Sequence, residues 1–331
     1  IIGCGNIAGG FDKDLADTDG PCTHAGAYRR DGRYTLKACV DPDPQQGKAF
    51  QQDWQVDHYY ETLAAIPQDE HFDIISICSP SACHYADMQV AITKRPKLIF
   101  CEKPITQHIA HTRELITQCK QHNIGLMVNY TRRWDPDIRD LKIAIEQQHY
   151  GQLRSVIGIY NKGIFHNGSH LVNTLTLLLG QLRVHQVLPG IADYHSDDPS
   201  INALLTGNIS HRPIPVHFVT ANAQDYTLFE IHFIFQNRSV IMYEGGLYWS
   251  DRLLQNSDRF TDYRTLDHGR QRPGRYPQAM LNALDNIYQF INVKQTLLCT
   301  GDDALATQAL CATLYHQAQN NVSPSTKQSI V

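Results

Sequence analysis

The chain has 331 residues, 42% hydrophobic and 19% charged, with a formal net charge of −4 at pH 7. This length exceeds one ordinary core and predicts two domains, and the slightly acidic balance removes the electrostatic grounds for a nucleic-acid or anionic-membrane partner. The longest apolar stretches, such as LVNTLTLLLG at 171–180, fall far short of the roughly 20 residues that cross a bilayer.

The chain opens on IIGCGNIAGG without a methionine, so the first strand is expected to start ahead of the numbering, with room for a targeting segment before it. Up to about residue 128, short β-rich runs alternate with helical patterns. Strands are predicted at 35–40 (TLKACV), 73–78 (DIISIC), 97–101 (KLIFC) and 124–128 (IGLMV), and helices near 24–31, 44–53, 83–94 and 106–121. Apolar strands alternating with helices predict a parallel sheet covered on both faces.

After helices at about 136–148 and 168–179 the pattern changes to strands of period two: SVIGIY, INALLTGN, PVHFVTAN, TLFEIHFIFQ and SVIMYEG. In LFEIHFIF, Glu230 and His232 alternate with bulky apolar neighbours, as in an antiparallel sheet with unlike faces. Helices at about 277–293 and 303–319 close the chain, ahead of a polar tail, NNVSPSTKQS, expected to fray. The fold class expected is α/β: an N-terminal doubly wound parallel sheet plus a C-terminal α+β domain with an open, mostly antiparallel sheet. Residues 1–128 form the dinucleotide-binding domain and 129–331 the substrate-binding and oligomerisation domain.

Nine cysteines is an odd count, and they lack CxxC spacing. Several sit in apolar runs (KACV, ISIC, LIFC), where a thiol behaves as a small buried hydrophobe. A reducing, cytoplasmic setting is the expectation.

IIGCGNIAGG places Gly3, Gly5 and Ala8 in a GxGxxA arrangement where a strand turns into a helix, with Asn6 and Ile7 inside the turn. The first glycine permits the turn, the second lets a pyrophosphate approach the backbone, and the small third residue allows close helix packing. The alternative is a glycine turn with no ligand. Asp41 ends the second apolar run, where a carboxylate can accept from both ribose hydroxyls and repel a 2′-phosphate, favouring NAD over NADP. Asp41 lies 38 positions after Gly3 (41 minus 3), beyond the roughly 20 to 30 expected. The excess predicts an insertion, GFDKDLADTDGPCT at 10–23, as a loop over the cofactor phosphates or the active-site mouth, or else a surface excursion. Ser79 and Pro80, after the next strand, are expected to wall the cofactor at the carboxyl end of the sheet, with His84 as a further contact or a helix-opening residue.

KLIFCEKPIT raises a question of its own, because a buried strand here ends in a carboxylate, an amine and a proline. Burying an ammonium is costly unless something uses it, so Lys103 is expected where a pocket opens. GCGNIAG, HAGAY, VDPD, CSPSACH, CEKP and GSH, in this order, resemble the Gfo/Idh/MocA oxidoreductase family, EKP after a buried strand being the most specific element. The resemblance implies a Rossmann domain, an open antiparallel sheet domain, NAD or NADP, oxidation or reduction of sugars and polyols, and association into a homodimer or homotetramer through the exposed sheet face.

It also implies that Lys103 reaches the reacting hydroxyl, where a cation lowers the hydroxyl pKa and stabilises alkoxide character. Glu102, grouped with the cofactor-binding residues, positions the strand end, and Pro104 fixes a turn with a cis bond expected at Lys103–Pro104. IFHNGSHLVN matches the family segment DxGxH, which gives His170 the role of general acid/base. The aspartate of that segment is replaced by His166, and the acid often found three residues after the histidine is Asn173, so the tautomer of His170 must be set by something else. His166 joins Lys103 and His170 as a catalytic candidate; a metal-binding reading of the two histidines is weak, lacking the glutamate of HExxH. Asn129, Tyr130, Arg132, Lys162 and Asn167 are candidate substrate contacts, and the basic loop HGRQRPGRYP meets either an anion or solvent.

The leading reading is an NAD-dependent oxidoreductase acting on a carbinol carbon of a sugar-like substrate. An enzyme that recycles its NAD, giving epimerisation or elimination, is the runner-up. The resemblance also extends to a galactose-pathway repressor, so a nucleotide- and sugar-sensing protein is the alternative of a different class.

Overall fold

A computed structural model describes residues 1–14 and 20–321, so the tip of the 10–23 insertion and the tail beyond Asn321 lie outside the described residues. The chain forms two compact units, Ile1–Asp135 with Pro277–Ala306, and Pro136–Tyr276 with the chain from Thr307.

In the first unit α1 (His24–Asp31), β1 (Ala38–Val40), α2 (Pro44–Trp54), β2 (His58–Tyr60), β3 (Ile74–Ile77), α3 (His84–Thr93), β4 (Leu98–Cys101), α4 (Ile109–Gln121) and β5 (Gly125–Val128) follow one another. The strands pair in parallel, β1 with β2 and β3 with β4 with β5. The two ladders are joined by the opening residues, because Ile2 bridges in parallel to both Val40 and Ile77. The order β2-β1-Ile2-β3-β4-β5 is the doubly wound arrangement, with its switch point between the opening segment and β3. Ligands bind at the carboxyl ends of strands at such a point, and there the glycine turn and Ser79 stand. All four residues of β4 are buried, as a strand covered on both faces requires.

Helix starts follow local chemistry. Thr23 caps α1 by accepting from the Gly26 amide, and Asp43 caps α2, which carries Pro44 in its first turn. The insertion interrupts a helix without undoing it: the Ile7 and Ala8 carbonyls, which in an unbroken helix would accept from residues 11 and 12, accept from His24 at 3.2 Å and Ala25 at 2.7 Å. Residues 11–23 are thus an excursion of thirteen positions, and without them Gly3 and Asp41 would be 25 apart instead of 38, within the ordinary spacing of roughly 20 to 30.

The first unit extends past the boundary at 128 read from the sequence. Val128 donates to the Cys299 carbonyl at 3.1 Å, and Trp134 Nε1 donates to Asn286 Oδ1 at 3.2 Å, so residues 129–135 and 277–306 pack with the parallel sheet.

The second unit contains α5 (Pro136–Glu146), β6 (Leu153–Tyr160), α6 (Gly168–Leu179), β7 (Arg183–Val187), β8 (Ile191–His195), β9 (Asp198–Ser200), β10 (Ala203–Ile209), β11 (Arg212–Thr220), β12 (Phe229–Phe235), β13 (Arg238–Tyr243), β14 (Tyr248–Asn256), β15 (Arg264–Leu266) and β16 (Arg270–Pro273). Helix α7 (Ala279–Val293) returns to the first unit, and α8 (Gly301–Asn320) ends the described chain. The large sheet runs β15-β14-β13-β12-β6-β11-β10-β7, with β16 also on β14. Among the described residues, only β6 and β11 pair in parallel within it. In β12, Phe229, Ile231, Phe233 and Phe235 face a core shared with Leu171, Val172 and Leu175 of α6, while Glu230, His232 and Ile234 face the other way. Gly158 on β6 lets α6 come close, since a Cβ there would stand 2.6 Å from Leu171. The opposite sheet face leaves Leu204, Val219 and Ile234 exposed.

Candidate functional site

A cavity of about 830 Å³ opens at the switch point of the parallel sheet. Gly3, Gly5, Asn6, Ile7, Asp41, Ser79 and Pro80 all line it. Gly3 has φ +82°, and a Cβ on it would lie 2.5 Å from the Ser79 amide nitrogen, so the turn seats directly on the chain leaving β3. Gly5 is different: the nearest atom to a Cβ there is Gln46 Nε2 at 3.9 Å, and the space it leaves is where a pyrophosphate would approach the backbone. Ala8 is fully buried behind the turn. This cradle fits a dinucleotide.

Asp41 also braces the turn. Oδ2 accepts the Cys4 amide at 2.8 Å and Gln46 Nε2 at 3.4 Å, and Oδ1 accepts the Asp43 amide at 2.9 Å. A carboxylate offers about four acceptor sites, so capacity for a ribose hydroxyl is left. Ser79 donates its hydroxyl to Asp87 at 2.5 Å, and burial holds the Asp87 carboxyl above its usual pKa against that bond.

Glu102 and His84 are not among the residues lining this cavity; both brace its surroundings. His84 places Nε2 2.8 Å from the Ser79 carbonyl and Nδ1 2.8 Å from the Pro104 carbonyl, tying the cavity wall to the turn that carries Lys103. The Lys103–Pro104 bond in that turn is cis. Glu102 Oε1 receives Asn129 Nδ2 at 2.6 Å and His24 Nε2 at 3.0 Å. Thr131 in turn donates to Asn129 Oδ1. Burial alone would raise the Glu102 carboxyl, but the hydrogen bond and charge of His24, with Asn129 and the Lys103 charge, hold it below its usual value. Burial alone would lower the His24 pKa; the neighbouring Cys78 thiol and Glu102 reverse this and bring it to about 10. His24 and Glu102 each favour the charged form of the other under the EKP turn.

The candidate substrate residue Asn129 thus has its side chain committed to Glu102 and Thr131, and Tyr130 beside it is buried. Of the adjacent arginines, Arg133 is the buried one, donating to the Leu298 carbonyl and pairing with Asp303, whereas Arg132 is half-buried. In the basic loop, Arg272 and Arg275 both pair with the buried Asp137 of α5.

The second unit holds the histidine segment. Gly163–Asn167 forms a π-helical turn that leads into α6, with His170 in the first turn of that helix. The β8–β9 hairpin grips this turn by its backbone. Lys162 donates its amide to Asp193 Oδ2 at 2.9 Å, Gly163 to Ser200 Oγ at 2.9 Å, Phe165 to Asp198 Oδ1 at 2.9 Å and His166 to Asp198 Oδ2 at 3.0 Å. Asp198 therefore brings a carboxylate to the turn that carries His166. The His166 ring stacks on Tyr194 at 6.0 Å, and Lys162 Nζ stands 5.5 Å from the centre of the same ring. Asn167 donates its amide to the Lys162 carbonyl at 3.4 Å, and Asn173 is bound to Thr307. No group of three or more His, Cys, Asp or Glu that could hold a metal is found among the described residues.

Sequence reasoning assigned no role to His24, Asp193, Tyr194 or Asp198. For His24 a signal existed in HAGAY, whose histidine follows the insertion; the hairpin residues carry none at short range.

Comparison with known proteins bears on the first unit above all. A family model described as Gfo/Idh/MocA, oxidoreductase family, NAD-binding Rossmann fold, matches residues 1–130. The uncharacterized oxidoreductase YrbE of Bacillus subtilis (strain 168) is 30% identical over 116 residues, 35% of this chain and 34% of that protein. An inositol 2-dehydrogenase of Rhizobium meliloti (strain 1021) is 29% identical over 133 residues, 40% of this chain and 39% of that protein. These matches span little more than a third of the length of either relative. An oxidoreductase from Agrobacterium radiobacter, whose crystal structure is in complex with NAD+, L-tartaric acid and magnesium, shares the fold with a TM-score of 0.71 at 16% identity, over 96% of this chain and 95% of that one. Over residues 1–130, where the glycine turn and the switch-point cavity lie, the chain is thus similar to the NAD-binding Rossmann domain of the Gfo/Idh/MocA oxidoreductases.

Proposed function

We propose that the protein is a dehydrogenase or reductase that transfers a hydride between NAD and the carbinol or carbonyl carbon of a sugar, polyol or related derivative. The observation that carries this reading is the buried bracing of the EKP turn: His24 and Asn129 hold Glu102, and His84 ties Pro104 to the cavity wall. Such bracing supports a fixed turn as the carrier of Lys103. The name of the matched inositol 2-dehydrogenase supports a polyol-like substrate.

A nicotinamide bound in the cavity supplies the hydride acceptor or donor. The chain's own residues do the rest. Lys103 donates a hydrogen bond to the substrate oxygen and stabilises the negative charge that grows there as the carbon–hydrogen bond breaks. His170 takes the hydroxyl proton in the oxidative direction and returns it in reverse. The backbone grip of Asp198 and Asp193 fixes the turn ahead of His170, and Lys162, His166 and Asn167 on that turn serve substrate binding or proton exchange, as does Arg132.

NAD is favoured over NADP because Asp41, Glu61 and Asp87 line the cavity and no Lys, Arg or His does so among the described residues. A 2′-phosphate would meet only like charge there. The exposed apolar side chains on the outer sheet face, Leu204, Val219 and Ile234, support association into a homodimer or homotetramer through that face.

The test is to incubate the protein with NAD+ and a panel of polyols, sugars and sugar acids and follow the nicotinamide absorbance band, repeating with NADP+. Substrate-dependent NADH formation is expected. NADH that is bound but never turned over by any member would favour the sensor instead.

A further inference from the structure

Phe11 is 58% exposed at the edge of the dinucleotide cavity that it helps to line. Isolated exposed aromatics need no explanation, but this one is held on both sides. Its amide donates to the Asn6 carbonyl at 3.0 Å, inside the glycine turn. The next residue, Asp12, turns its carboxylate inward. Its Oδ2 accepts the Thr23 amide at 2.8 Å and the Thr23 hydroxyl at 2.6 Å, and the Cys22 amide stands 3.0 Å from both oxygens. Gly26 leaves the room for this clasp, since a Cβ there would stand 2.1 Å from Asp12 Oδ2. Burial would raise the Asp12 carboxyl, yet its bonds to Cys22 and Thr23 hold it below the usual value. Lys13 fastens the same stretch to α2 through Asp53 at 2.9 Å.

The excursion is also foreign to the helix it leaves, because the Ile7 and Ala8 carbonyls find their partners in His24 and Ala25. The helix would close without it. What the excursion adds at the cavity is an apolar ring carried on an anchored backbone beside the glycine turn.

We propose that Phe11 is a cofactor-binding residue contributed by this insertion, its ring covering the pyrophosphate end of the bound dinucleotide and slowing release. The inference rests on the reading of the cavity as a nicotinamide dinucleotide site and extends it to a residue outside the glycine fingerprint. Ring surface that is wet in the free protein is covered by the ligand, so the contact favours the bound state.

The test uses NADH fluorescence titration and stopped-flow displacement on the full chain, on Phe11→Ala, on Phe11→Tyr and on a deletion of residues 11–23. Phe11→Ala is expected to raise the NADH Kd about tenfold, chiefly through faster release, with the melting temperature of the unliganded protein unchanged. Phe11→Tyr should retain wild-type affinity, and the deletion should fold and behave as Phe11→Ala. NADH affinity within about twofold of wild type in Phe11→Ala would overturn the inference and leave the cavity's assignment standing. A wild-type chain that binds neither NADH nor NADPH would overturn both.

Discussion

His24 Nε2 lies 3.0 Å from Glu102 Oε1, with the imidazole fully buried and the carboxylate nearly so. The pair joins two segments separated by 78 positions and sits directly before Lys103. Removing one member of such a buried pair leaves the other charge uncompensated. His24→Ala is therefore expected to destabilise the protein by about 3–5 kcal/mol in urea unfolding. A loss under about 1 kcal/mol would place the pair with weak surface bridges.

The pair also gives stability a signature in pH. The His24 pKa is raised in the folded state from 6.5 to about 10, so its contribution is fully present below 6.5 and fades as pH climbs through about 10. Glu102 is lowered, so its contribution is present above its unfolded value of 4.5 and lost as pH falls through the lower folded value. Melting temperatures of wild type and His24→Gln should differ most between these limits and converge at either end. A gap that stays constant through pH 10 would contradict the assignment.

Gly3 and Gly5 should separate folding from binding. Gly3→Ala puts a Cβ 2.5 Å from the Ser79 backbone at φ +82° and is expected to lower both stability and NADH affinity. Gly5→Ala meets no protein atom closer than 3.9 Å, so it should leave the melting temperature nearly unchanged while weakening NADH roughly tenfold or more. Calorimetry beside an NADH titration checks both. Equal effects of the two substitutions on binding and stability would mean that Gly5 serves packing alone.

Asp198 accepts two amides of the turn before His170. Asp198→Ala should cost about 1.5–3 kcal/mol, the range for a charged acceptor. It should also lower kcat more than it raises KM, because the turn is loosened while the substrate's other contacts persist. Asp198→Asn, which keeps one acceptor, should recover part of both. A change in KM alone would make Asp198 a simple substrate contact.

Much of this architecture could be read along the chain because the physics was local. TLKACV, DIISIC, KLIFC and IGLMV became strands, since a parallel strand covered on both faces must be apolar throughout. The alternation in LFEIHFIF placed the phenylalanines and isoleucine on the core face of β12 and Glu230 and His232 on the other. The polar strands β2 (HYY), β7 (RVHQV) and β14 (YWSDRLLQN) were illegible because they lie towards sheet edges, where no continuous apolar run is required. Around the site, the glycine turn announced itself by spacing. His24 did not, since its partner is far along the chain and its meaning lies in that single contact. The β8–β9 hairpin was invisible for the same reason: its carboxylates act on backbone amides some thirty positions away, which no local pattern encodes.

The account's central claim is that Lys103 polarises the oxygen of a carbinol undergoing hydride transfer. The most direct measurement is kcat/KM for polyol-dependent NADH formation by wild type and Lys103→Ala, with NADH binding followed in parallel. Loss of roughly 10²–10⁴-fold in kcat/KM with NADH affinity intact is the result expected. Turnover that survives Lys103→Ala at the wild-type rate would contradict the role given to this lysine.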